Sequence, residues 1–391
     1  MNALLHHTAS TATAVGELAL GLSPWAPRPR PGSLDDITPD TLTRLLAPAV
    51  PHARVVSIET VGGTAGTTDR RRLDLRWNEA GREAALPSFV FAKATARPPQ
   101  NRALGGFLRM TTNEVDFYRL VRDDVAEIAP VCFAADSTHG GRFFLLLEDL
   151  ESAGCNVSIL SDRCDMTRLE ATMDTLALLH TRFWDSDRFA GDLAWVAPQR
   201  RRPGFALETV LFRGSRRAVL RSGREVPDRV RSLTRLLSRE TWPIARLWEQ
   251  GPLTFVHGDS HLGNSYARPD GAAGFFDWQV VHRAHGMRDV AYFLGTSAPT
   301  ELRRAHERDL VDRYVERLHE GGVRDLDRDA AWEMYRVFAV DAWDAVCVTA
   351  AFSGLQSEAS MERGFQQALA TVDDLDSLEA VERALRRGAL T

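Results

Sequence analysis

Lysine is almost absent from this chain of 391 residues: among 48 Lys and Arg side chains, Lys93 is the only lysine. Cysteine is scarce too. The four present, Cys132, Cys155, Cys164 and Cys347, lack the paired spacing of a metal site or disulfide framework and read as buried thiols of a reducing compartment. No apolar run approaches the roughly 18 residues of a membrane span. The earliest basic residue, histidine aside, is Arg28, so the start lacks the charged region of a secretory leader. A cytoplasmic protein without a membrane partner is expected. Neither sign of charge dominates: 48 basic against 53 acidic residues leave a formal charge of −5, which speaks against a nucleic-acid binder.

What is present is ordinary globular material, 44% hydrophobic and 26% charged, long enough for two domains or one two-lobed enzyme. Its polar residues concentrate in the stretch 255–295. An apolar strand over 253–256 delivers His257-Gly258-Asp259 into a turn, and Asn264 follows five positions later. Arg268-Pro269-Asp270-Gly271 is a turn signal between two short strands, and the second, over 272–276, delivers Asp277. Two carboxylates and a carboxamide presented in this way suit a hard cation such as Mg²⁺, which takes oxygen ligands and leaves room for phosphates. A zinc cluster of His257, Asp259 and His261 fits poorly, because so short a turn cannot easily converge all three.

Upstream, residues 1–35 are rich in Ala, Thr and Pro and read as an arm with no catalytic role. A helix follows Thr38-Pro39, with Leu42, Leu45 and Leu46 as its apolar face. Strands are expected over 55–61 and 72–77, joined by Gly62-Gly63-Thr64-Ala65-Gly66-Thr67-Thr68. A hairpin tip of this kind lets backbone N–H groups approach phosphate oxygens. A strand over 88–93 ends in Lys93, whose ammonium can reach nucleotide phosphates. Next come a helical stretch over 113–120 carrying Glu114 and an apolar run over 141–150 broken by Glu148 and Asp149. Asp149 is expected to mark where that strand emerges into solvent.

From 151 the pattern turns helical. Leu169, Met173, Leu176, Leu179, His180 and Phe183 form one apolar face, with His180 a core histidine. The basic runs 199–202 and 213–217 read as solvated surface. Helices are expected over 301–320, 328–352 and 361–387. The middle one carries Trp332, Tyr335, Phe338 and Trp343 together with Asp341 and Asp344, read as helix packing with the acids at an exposed edge or, second, as a pocket wall.

The ordered set HGDSHLGN, DWQ and RDVAYFL, preceded by Lys93 and Glu114, resembles the aminoglycoside phosphotransferase and choline kinase superfamily. It is most similar to the ecdysteroid-kinase-like group of small-molecule kinases. The resemblance covers about 50–350 and implies an α+β, bilobal protein-kinase-like fold. Residues 36–150 would form a nucleotide-binding lobe with a small antiparallel sheet, ending in a hinge. Residues 151–391 would form a helical lobe with the catalytic loop, the Mg²⁺ site and the acceptor pocket.

The implied activity is transfer of the γ-phosphoryl group of ATP, with Mg²⁺, to a hydroxyl of a small molecule: an antibiotic, an amino alcohol or a sterol-like alcohol. By motif match, Asp259 is the catalytic base or hydroxyl-orienting group, and Asn264 and Asp277 hold Mg²⁺. Gly62, Gly63, Gly66 and Thr67 cover the nucleotide. Lys93 meets its phosphates and is oriented by Glu114. Backbone groups of Glu148 and Leu150 face the adenine edge. His257 props the loop, His261 supports it or lies near the substrate, and Asp289 braces its backbone. Asp341, Asp344 and Trp343 are placed at the acceptor pocket. The competing reading is a nucleotide-binding pseudokinase or regulatory module without turnover. A protein kinase fits less well, because no Ala-Pro-Glu segment follows Asp277.

Overall fold

The computed structural model describes residues 15–16, 27–65, 68–96, 99–352 and 356–391. Gly66 and Thr67, and most of the expected arm, lie outside them. The chain forms two compact units, Met1–Asn156 with Asp277–Val280, and Val157–Phe276 with Val281–Thr391. The first carries a small antiparallel sheet and the second is largely helical, the α+β, kinase-like class that the motifs imply.

In the first unit five strands pair antiparallel: β1 (Val55–Ala65), β2 (Thr68–Trp77), β3 (Phe89–Thr95), β4 (Cys132–Thr138) and β5 (Arg142–Glu148), in the order β1-β2-β3-β5-β4. Alternation along β2 turns Leu73, Leu75 and Trp77 to one face, where they pack with Val90, Ala92, Phe144 and Leu146. Helix α1 (Pro39–Leu46) closes this core with Leu42 and Leu46. The Thr38 hydroxyl accepts from the Thr41 N–H, and Pro39 opens the first turn, where its missing N–H costs nothing. Helix α2 (Met110–Leu120) buries Val115, Phe117 and Tyr118.

Strands β1 and β2 run further than the 55–61 and 72–77 that their apolar alternation implies. Strand β1 continues through the glycines to Ala65, pairing Gly62 with Arg72 and Gly63 with Arg71. A Cβ on Gly63 would lie 2.3 Å from the Arg70 carbonyl oxygen, so the absence of a side chain is what lets the two backbones meet. Gly63→Ala is therefore expected to force the hairpin apart and lower stability by about 1–3 kcal/mol, read from the urea midpoint. Asp149, expected at the solvent edge, is instead 4% exposed. Its carboxylate takes the Arg72 guanidinium at 2.9 Å and the Ser152 N–H at 3.0 Å, which is why burial is tolerated.

In the second unit, helix α3 (Met166–Arg182) buries Leu169, Met173, Leu176, Leu179 and His180. Strand β6 (Thr254–Val256) pairs with β9 (His282–Ala284). The tight hairpin is a separate one, β7 (Ser265–Ala267) with β8 (Ala273–Phe275), closed by Arg268 N–H to Ala272 O at 2.8 Å and by Gly271 at φ 87°. Asp259 thus leaves one sheet while Asn264 enters another, the hairpin that the turn signal at 268–271 predicts.

The basic run 213–217 lies on α4 (Phe205–Arg221), and Arg216 is buried on Asp344 rather than solvated. Helices α5 (Met287–Ser297), α6 (Thr300–Glu320) and α7 (Arg328–Ala351) follow. The segment expected as one helix over 361–387 is two, α8 (Glu358–Asp374) and α9 (Ser377–Arg387). Asp376 adopts the left-handed conformation at φ 45°, which a short polar side chain tolerates and which ends the helix. Cys164 and Cys347 are buried, but Cys132 and Cys155 are only partly so. No helix among the described residues is long and apolar enough to cross a membrane.

Candidate active site

Lys93 sits near the middle of β3, 3% exposed. Its ammonium lies 2.7 Å from Glu114 Oε2 and 2.9 Å from Asp277 Oδ1. A charge so deeply buried is sustainable only with such partners. Glu114 is 1% exposed on α2, and its other contact is the Gln279 side-chain amide at 3.3 Å. Burial pushes the Glu114 carboxyl up, opposed by the Lys93 charge beside it.

The Asp277-Trp278-Gln279 segment is anchored to α2 twice more. Trp278 stacks flat on Phe117, centroids 3.9 Å apart, and the Asn113 amide donates to the Gln279 carbonyl at 3.1 Å. Asp277 has φ 65°, a region rare outside glycine and most accessible to Asn and Asp. A second cation faces its carboxylate: Arg70 Nη2 lies 3.5 Å from Oδ2.

Elsewhere in this unit, Gly62 and Gly63 lie within β1. The Glu148 carboxylate accepts from the Val131 N–H at 3.0 Å, and the Leu150 carbonyl accepts from the Cys155 N–H at 2.9 Å.

In the second unit Asp289, in the first turn of α5, holds the loop after β6. Its oxygens accept from the His257 N–H at 2.7 Å and the Gly258 N–H at 2.9 Å. The Ser260 hydroxyl donates to its carbonyl at 3.0 Å. His180 joins the same carboxylate through Nε2 at 3.3 Å and meets the Tyr314 hydroxyl through Nδ1 at 2.8 Å. Burial pushes Asp289 up, but the His180 hydrogen bond and charge and the Gly258 N–H outweigh it and hold the carboxyl below the usual range. The His257 ring accepts the Asp259 N–H at Nδ1, 3.3 Å, and faces the Phe276 carbonyl through Nε2 at 3.0 Å, which assigns the proton to Nε2.

The Asp259 side chain keeps 37% of its surface exposed. Tyr292 donates its hydroxyl to Oδ1 at 2.6 Å, and Asn264 Nδ2 donates to Oδ2 at 3.0 Å and to the Asp259 carbonyl at 2.9 Å. With its amide nitrogen so engaged, Asn264 turns its carbonyl oxygen away from Asp259. Burial, then the Asp259 charge, pushes the Tyr292 phenol well above its ordinary value. His261 Nε2 lies 3.7 Å from Asp259 Oδ2, and its Nδ1 is buried with no partner among the described residues.

Tyr292 is a contact that reading for motifs missed. It stands three residues after Asp289, so helical spacing alone turns both toward the same loop.

The residues assigned to an acceptor wall face inward. Helix α7 packs against α4, α5 and α8. Asp344 forms a bidentate pair with Arg216, Nε to Oδ1 at 2.6 Å, and the fully buried Trp343 donates to the Thr234 hydroxyl at 3.0 Å. Asp341 pairs with Arg288 at 2.5 Å, and burial pushes its carboxyl up to about 6 against the Arg288 charge.

Residues 107–332 match the sequence profile of the phosphotransferase enzyme family. Among solved structures, the chain is similar in fold to an ethanolamine kinase from Plasmodium vivax, with a TM-score of 0.50, 10% identity and 81% of each chain covered. It is also similar to a choline/ethanolamine kinase family protein from Mesorhizobium loti (TM-score 0.48, 13% identity, 88% of this chain and 98% of that one). A choline kinase from Streptococcus pneumoniae gives a TM-score of 0.47 at 13% identity, over 86% of this chain and 97% of that one. No curated protein sequence matches. The profile does not single out the ecdysteroid-kinase-like group. Because the matched region spans more than half of its length, the chain belongs to the phosphotransferase enzyme family.

Proposed function

We propose that the protein is an ATP- and Mg²⁺-dependent kinase that moves the γ-phosphoryl group to a hydroxyl of a small molecule. Family membership supports the coarser statement, a small-molecule phosphotransferase. The observation that carries the finer one is the buried Lys93–Glu114–Asp277 cluster, in which the chain's only lysine is fixed between two carboxylates. A structural ion pair has no need of a third charged group in a half-strained backbone conformation. A phosphate-binding lysine with an orienting acid beside a metal-ligating carboxylate does. In this reading residues 36–150 bind the nucleotide, residues 151–391 carry the catalytic loop, and Glu148 and Leu150 lie along the adenine.

Asn264 and Asp277 are the Mg²⁺ ligands. The donor set fits: a carboxylate that already attracts cations, and a carboxamide whose nitrogen is committed to Asp259 so that its oxygen remains for a hard ion. Mg²⁺, when bound, neutralises charge on the transferring phosphoryl group. Asp259 orients the acceptor hydroxyl and takes its proton as the oxygen bonds to phosphorus and ADP leaves. Each of its carboxylate oxygens holds one donor and can accept another.

Phosphate transfer from γ-labelled ATP to a panel split between cationic sugars and amino alcohols and apolar alcohols tests this reading. Label should appear on one class and require Mg²⁺. Asp277→Ala should remove the Mg²⁺ dependence of nucleotide affinity. Unchanged dependence would refute its role, and nucleotide binding with no acceptor in any class would favour a pseudokinase.

A further inference from the structure

Strand β2 carries three consecutive arginines, and the sheet treats them differently. Arg72 is held by two acids, Asp149 at 2.9 Å and Glu151 at 2.7 Å, and its guanidinium lies 4.9 Å over the Phe89 ring. Arg71, on the opposite face, meets Asp35 at 2.5 Å. Arg70 has no acid of its own. Among the described residues its one carboxylate partner is Asp277, at a loose 3.5 Å, and Asp277 already receives Lys93 at 2.9 Å.

Register explains the meeting: Arg70 pairs directly with Lys93 across β2 and β3, so both side chains leave the same face of the sheet. Its Nε donates to the Thr68 hydroxyl at 3.0 Å, which steadies the base of the guanidinium, and a third of the side chain is exposed. Two cations thus face two carboxylates, Glu114 and Asp277.

We propose that Arg70 is a second phosphate-binding cation, serving as the counter-ion of Asp277 until a divalent metal takes that carboxylate, and then turning to the nucleotide phosphates. The inference rests on the nucleotide reading above. With Asp277 engaged by a divalent cation, Arg70 would lose its carboxylate partner and meet like charge there, and an arginine suits planar, two-point contact with phosphate oxygens. Lys93 is locked by Glu114 and stays, whereas the loosely held, part-exposed Arg70 is the cation free to move.

Arg70→Ala then has effects of opposite sign on two ligands, which a merely structural residue would not produce. Calorimetric titration of the full chain should show Mg·ATP affinity falling about tenfold, the size of one lost charge-assisted hydrogen bond. Adenosine affinity should not change. Mn²⁺ alone, used as the metal probe, should bind about threefold more tightly because a competing cation is gone. Arg70→Lys should recover most of the Mg·ATP affinity, and a melting curve checks that each variant is folded. Equal weakening of adenosine and Mg·ATP would overturn the proposal, as would Mn²⁺ affinity that stays the same or falls. If Arg70→Ala changes nothing while Asp277→Ala still abolishes the Mg²⁺ dependence, the nucleotide reading stands and only the role of Arg70 fails. If the wild type binds neither ATP nor adenosine, both fail together.

Discussion

Asp259→Ala is expected to slow phosphoryl transfer roughly a thousandfold, with nucleotide affinity held within about twofold. The carboxylate is part-exposed, fixed by Tyr292 on one oxygen and Asn264 on the other, and set on a loop whose backbone Asp289 clamps. Its aim is therefore determined before any acceptor arrives, and pre-set aim is where much of the rate resides when the transition state is loose and the base need not be strong. Nucleotide contacts, by contrast, are proposed for Lys93, oriented by Glu114, and for Arg70, all of which belong to the other compact unit. Asp259→Asn separates charge from shape, since its side-chain oxygen can still accept from Tyr292. A loss as deep as that of the alanine variant would assign the effect to the charge. Turnover on the accepting panel compound and calorimetric ATP binding read the two quantities apart, and loss of ATP binding in either variant would refute the assignment.

Asp289→Ala is expected to have the largest effect on stability, about 3–5 kcal/mol, because it strands a buried and a part-buried backbone donor and a buried histidine at once. The effect carries a pH signature. A carboxyl held below its ordinary value of 3.8 binds fewer protons in the fold than in the unfolded chain, so its contribution is complete above that value and lost as pH falls through the lower folded value. Wild type should therefore lose part of its stability on acidification below about pH 4, and Asp289→Asn should lack that component. Urea midpoints of the two proteins across that range make the comparison. Parallel pH curves would show that Asp289 is not held low.

Much of this was legible from residue order. Strand ends mark Lys93 and Asp277, motif order marks Glu114, and the three lie within ion-pair distance. Helix α1 was readable because its cap and its proline are local signals. What escaped depends on partners distant in sequence. Arg216 looks solvated because Asp344 is far along the chain, and Asp149 looks exposed because Arg72 precedes it by 77 residues. The break at Asp376 has no glycine or proline to announce it. Tyr292 is legible in principle, since it lies within RDVAYFL at a helical spacing from Asp289. Arg70 needed the register of two strands, which no single strand contains.

Residues 277–280 belong with the first unit although the chain on both sides of them belongs to the second. Neither unit is therefore a contiguous stretch of gene. A cut at the Asn156–Val157 boundary would yield an amino-terminal fragment without the indole that stacks on Phe117, the amide carbonyl that Asn113 binds, and the carboxylate that Lys93 and Arg70 share. Exchange of whole units between relatives by a single crossover would carry the same defect, pairing one parent's sheet with the other parent's aspartate. Such hybrids need a graft of four residues as well as a junction.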